Sequence, residues 1–76
     1  MTTTQTIPAG NLKTGDRIHS RNHTGPVVET ITEVWTNTCD VSRWWPTGIE
    51  VNWTTTSHPE GTCTMQPETN TVEVDR

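Results

Sequence analysis

"VVETITEVWT", residues 27–36, decides how this chain folds. Almost every position is β-branched or aromatic, and such side chains lose freedom in a helix while packing well on a pleated surface. The stretch therefore predicts a strand. Its apolar members Val28, Ile31 and Val34 recur at every third residue, which strict alternation of strand faces does not allow. A β-bulge, which inserts one residue and resets the facing, resolves the conflict.

Outward from that strand the sequence predicts four more. Thr14-Gly15-Asp16 reads as a turn leading into a strand over 16–20. After Pro46 and Gly48 the strand 48–55 places Ile49, Val51 and Trp53 on one face and Glu50, Asn52 and Thr54 toward solvent. In 61–66, alternation turns Cys63 and Met65 inward and Thr62, Thr64 and Gln66 outward. Val72 and Val74 face inward in 71–74, after a compact 3₁₀-type turn over "PETN". Ile31, Val51 and Val72 are thus core candidates on three strands. Residues 1–10 read as a flexible polar tail with Ile7 resting on the body, and 11–76 as a single domain. Closing five short strands on themselves removes exposed edges and lets few apolar residues share one interior. The expected fold is an all-β, five-stranded barrel.

Composition agrees with a sparse core. Leu, Ile, Val and Phe make up twelve of 76 residues, below the roughly 20% that accompanies disorder. Disorder also calls for high net charge, and −4 is modest, while the polar excess is mostly threonine, with eighteen residues. The acidic balance and the scatter of the five basic residues argue against a grip on phosphate backbones. No apolar run reaches the roughly 18 residues of a membrane span, and the first ten residues lack the basic and apolar regions of a signal peptide. The expected location is the cytoplasm, with Cys39 and Cys63 as free thiols.

"VSRWWPTGIEVNW", residues 41–53, holds three of the four tryptophans. Trp53 alternates with Ile49 and Val51 and belongs to the core. Trp44 and Trp45 are consecutive and point to opposite sides of any extended segment, so one is harder to bury. Either both cap a poor core, or Arg43, Trp44, Trp45 and Pro46 form a contact patch, Trp and Arg being enriched at binding hot spots. The patch is the reading adopted, with a protein or a second copy of the chain as partner. The alternative is a nucleic-acid-associated module using Lys13, Arg17 and Arg21 with tryptophan stacking.

Nothing in the sequence calls for a cofactor or metal. His19 and His23 have ligand spacing, but no second pair stands opposite them. Asp16, His19 and Ser20 are neighbours that a strand would splay to opposite faces, which a catalytic triad cannot use. Glu29, Glu33 and Glu50 occupy outward strand positions. No enzyme activity is expected.

"LKTGDRI" (12–18), "VVETITEV" (27–34), "GIEVNW" (48–53) and "GTCTMQPETNTVEV" (61–74) resemble a pattern found in small uncharacterised proteins of actinobacterial phages. The resemblance implies that the five-stranded barrel is SH3-like and that the protein is a phage-type accessory protein in a host cell. The opening motif is also similar to the start of KOW-type barrels of ribosome- and polymerase-associated proteins. Asn37 to Pro46 lie outside the pattern.

Overall fold

Val72 and Val74 are buried in the core, on a strand flanked by others on both sides. The computed structural model describes residues 3–76, with the backbone alone for Asn22. Six strands form: β1 (Thr4–Pro8), β2 (Arg17–Asn22), β3 (Gly25–Thr38), β4 (Ile49–Thr55), β5 (His58–Met65) and β6 (Thr71–Asp75). They pair antiparallel in the order β1-β6-β2-β3-β4-β5. The fold is all-β, as expected. The barrel is corrected: there are six strands rather than five, and β1 and β5 remain edges instead of pairing to close the sheet.

The sixth strand comes from the segment expected to be a flexible tail. Residues 1 and 2 of that tail lie outside the described residues. Thr4 to Pro8 pair residue for residue with Asp75 to Thr71, and the ladder extends to reciprocal backbone hydrogen bonds between Thr3 and Arg76 of 3.0 and 3.1 Å. Ile7 and Ala9 are buried by this pairing. The segment's one 3₁₀ turn, Ala9–Asn11, follows β1. Before β6, where a 3₁₀ turn was expected, a wider turn closes with Asn70 N–H donating to the Gln66 carbonyl at 3.2 Å.

β3 carries the expected bulge. Its pairing with β4 slips between Ile31 and Glu33, so Thr32 is the extra residue. The slip puts both Ile31 and Val34 on the inner face, and Thr32 Oγ1 meets Thr54 Oγ1 at 2.7 Å. It does nothing for Val28, which is exposed. Before the bulge the inner positions are Val27, Glu29 and Ile31, because Ser20 and Ile18 stand opposite Val27 and Glu29. The turn before β2 locks onto this point. Gly15 adopts a φ of 94°, as the third residue of a type II turn requires, and Gly15 N–H donates to the Ile31 carbonyl at 2.9 Å.

The core gathers Ile7, Ala9, Leu12, Ile18, Ile31, Val51, Trp53, Val72 and Val74, with Val34 and Met65 half-buried against it. Five facing expectations fail in β4 and β5 and just after them. Asn52 and Thr54 are buried although they point away from this cluster, because β4 is flanked by β3 and β5 and their side chains close over it. Thr64 Oγ1, for instance, donates to Asn52 Oδ1 at 2.6 Å. Ile49 and Cys63, expected inward, are exposed. Gln66 is buried, its Oε1 accepting from Thr69 Oγ1 at 2.7 Å inside the turn before β6.

Two carboxylates clasp the chain ends. Burial alone pushes the Asp16 carboxyl up, but hydrogen bonds from Arg76 and the Lys13 N–H outweigh it, leaving a pKa below the ordinary value. Asp75 is also lowered, first by its hydrogen bond with His19 at 2.6 Å and then by that from Thr4. A carboxylate depressed in the folded state adds stability that is present above its unfolded pKa, about 3.9, and lost as pH falls through the folded value. Stability should therefore hold down to about pH 4 and fall below it. Thermal melts from pH 7 to pH 2 of the wild type and Asp16→Asn provide the check: the variant should start less stable and lose less on acidification.

Candidate functional site

On β3 the residues Trp35 to Thr38 are all exposed, although on β4 their partners Asn52 and Val51, opposite Trp35 and Thr36, stay buried. A hairpin arm begins at Thr36, and from Asn37 and its partner Glu50 outward, where Ile49 opposite Thr38 is exposed too, it runs beyond the core. Asn37 reaches across it, its Nδ2 donating to Glu50 Oε1 at 3.5 Å. The ladder continues one step past the strands, with Cys39 N–H donating to the Gly48 carbonyl at 2.9 Å. Gly48 has a φ of 69°, and a Cβ there would stand 3.1 Å from Val41 Cγ2, so the position favours glycine twice over.

The tip is a four-residue turn, Ser42 to Trp45. Trp45 N–H donates to the Ser42 carbonyl at 3.2 Å and Ser42 N–H returns to the Trp45 carbonyl at 3.3 Å. Ser42 Oγ accepts from the N–H groups of Trp44 and Trp45 at 3.2 and 3.1 Å, a serine turn that takes the place of ladder bonds. Trp44, inside this turn, is 78% exposed, and the Arg43 guanidinium lies over its ring at 5.6 Å from the centroid. Trp45 points the other way and is half-buried, its Nε1 enclosed without a hydrogen-bond partner among the described residues. Pro46 is exposed. The turn thus leaves one of the consecutive tryptophans exposed and the other half-buried, and Val41, 72% exposed, adds apolar surface beside them.

Lys13, Arg17 and Arg21 do not assemble an unopposed basic face. Lys13 is in the turn before β2, while Arg17, His19 and Arg21 share one side of β2. On that side Asp75 stands opposite Arg17 and Glu73 opposite His19, so carboxylates interleave the stripe.

Sequence reading missed a second concave feature. β5 loses register with β4 between His58 and Cys63: five steps along β5 match two along β4. Pro59 and Gly61 lie in this divergence, residues suited to a strand that leaves its ladder. The divergence opens a groove of about 290 Å³ between β5 and the β2–β3 hairpin. Ser20, Val27 and Glu29 line one wall, and His58, Gly61 and Cys63 the other. Glu29, expected to face solvent, points inward here; its side chain is only 11% exposed and meets His58 Nδ1 at 3.3 Å. No periodicity signalled it, because the bulge at Thr32 that fixes its facing lies three residues further on.

Burial, followed by the nearby Glu29, pushes the Cys63 thiol above its ordinary pKa. Cys39 is also raised, by burial and then by Glu50 and Asp40. Such thiols are poor nucleophiles, since the thiolate is the reactive form. Both cysteines are free. Among the described residues, no group of three or more His, Cys, Asp or Glu side chains is placed to hold a metal ion, and no helix is long and apolar enough to cross a membrane. No protein-family model matches this chain, and no curated protein or solved structure matches it either.

Proposed function

We propose that the chain is a small non-enzymatic interaction module that docks onto a protein, or onto another copy of itself, through the tip of its hairpin arm. The observation that carries this reading is Trp44: a large apolar side chain, held by a defined turn, left 78% exposed under a stacked arginine. Exposed indole contributes little to the isolated chain, whereas burying it against a partner recovers roughly 1.5–3 kcal/mol of transfer free energy. A tip closed by its own turn hydrogen bonds also limits the entropy lost on docking. The resemblance to phage proteins supports an accessory role in the cytoplasm of an infected host cell. Nucleic-acid binding is the weaker reading, because Asp75 and Glu73 sit among the arginines of β2.

Trp44→Ala should leave the melting curve and the β-type circular dichroism spectrum nearly unchanged, within the roughly 0.5 kcal/mol typical of surface substitutions. It should abolish self-association or partner capture, and wild-type binding should vary little with salt. Trp45→Ala should instead lower stability, because its ring is half-buried. A Trp44→Ala protein that binds everything the wild type binds would falsify the proposal.

A further inference from the structure

The groove between β5 and the β2–β3 hairpin and the tip of the arm have complementary chemistry. The tip offers an exposed indole and the Arg43 guanidinium, which has no carboxylate partner among the described residues. Inside the groove is a nearly buried carboxylate, Glu29, whose ion-pair partner among the described residues is His58, a group that is charged only when protonated. Val27, Gly61 and Cys63 give the walls their apolar part, and Arg21 lies on the exposed side. A carboxylate this enclosed stands to gain from a permanent cation, since a charge-assisted hydrogen bond strengthens where water is excluded.

The two features cannot meet within one molecule. The groove is built on Val27 and Glu29 near the start of β3, and the tip projects past Thr38 at its other end. Nine residues separate Glu29 from Thr38, roughly 30 Å of strand at 3.3 Å per residue, in a molecule 38 Å long. Resting on the proposed role of the tip, we infer that Arg43 and Trp44 of one copy seat in the Glu29–His58–Cys63 groove of a second copy, with Arg43 pairing to Glu29. The contact joins two different surfaces. Two chains related by a two-fold axis would make it twice, as an isologous dimer, and successive chains would otherwise extend it head to tail into a heterologous oligomer.

The groove contains its own reporter, the exposed thiol of Cys63. In a Cys39→Ser background, Cys63 alkylation should slow as protein concentration rises. Trp44→Ala should abolish that protection. Sedimentation equilibrium should show concentration-dependent association that Trp44→Ala and Glu29→Gln each weaken by about thirtyfold, the loss typical of a truncated hot spot. An equimolar mixture of the two variants should associate more tightly than either alone, because the tip of the Glu29→Gln chain finds an intact groove on the Trp44→Ala chain. Pre-alkylating Cys63 of the Cys39→Ser chain with a bulky maleimide should block association with Trp44 and Glu29 both intact. A monomer at all concentrations overturns the inference. So does association that Trp44→Ala weakens while Glu29→Gln and Cys63 alkylation leave it untouched, an outcome that would keep the tip as a docking site for some other surface. Association indifferent to Trp44→Ala would overturn the proposed function as well.

Discussion

Replacing Ile31 by Ala is expected to abolish cooperative folding or lower its midpoint by roughly 10 °C or more. Ile31 is 1% exposed and stands where β3 changes partners, pairing with β4 on one side while its backbone bonds the turn before β2 on the other. Large-to-small substitution at a filled core site costs about 2–5 kcal/mol. Each kilocalorie moves the midpoint of a domain this size by about 4–8 °C. Few neighbours can collapse into the space, because among the described residues the core holds nine buried apolar side chains. Thermal melts followed by circular dichroism provide the measurement, with Thr36→Ala on the exposed arm as the control that should barely move. Thr54 makes a poor control despite its polar side chain, since it is buried and bonded to Thr32. Equal melting of Ile31→Ala and Thr36→Ala would show that the β3 bulge is not a structural centre.

A chain beginning at Ala9 is expected to lose its cooperative transition too. Removing β1 strips Ile7 from the core, a burial worth roughly 1.5–3 kcal/mol, and turns β6 from an inner strand into an edge along five residue pairs. Val72 and Val74 would then be open to water and to pairing with other chains. Ile7→Ala separates the two effects by keeping the ladder while removing the side chain, and it should cost about 2–5 kcal/mol at most. Hydrogen exchange at the Val72 and Val74 amides reports the outcome directly, with protection lost on truncation and retained in Ile7→Ala. A truncated chain that melts within a few degrees of the full one would mean that β1 merely decorates the sheet.

Strand identity was legible wherever β-branched residues and turn chemistry coincided. "VVETITEVWT" announced both a strand and its bulge, because the three-residue spacing of Ile31 and Val34 conflicts with a flat strand. The inward pair Val72 and Val74 was legible by alternation. The unequal burial of Trp44 and Trp45 was expected from alternation in an extended segment, but it arises from the turn that Ser42 to Trp45 make. β1 was not legible: "TQTIP" holds one apolar residue, and its signal is a ladder to residues near the opposite end of the chain. Asn52, Thr54 and Gln66 misled for a related reason. Polar side chains read as exposed until neighbouring strands cover them and supply hydrogen bonds.

The sequence by itself therefore determined the β class, most of the strands, and the placing of an exposed indole in the connection between β3 and β4. These follow from local properties: side-chain branching, alternation and turn residues act over two to four positions. Only the tertiary structure decided that the sheet has six strands and stays open, that Glu29 turns inward, and that a groove separates β5 from the β2–β3 hairpin. Each of these depends on where strands distant in sequence lie side by side. Loop-closure entropy and long-range pairing set that arrangement, and no local pattern in 76 residues encodes it directly.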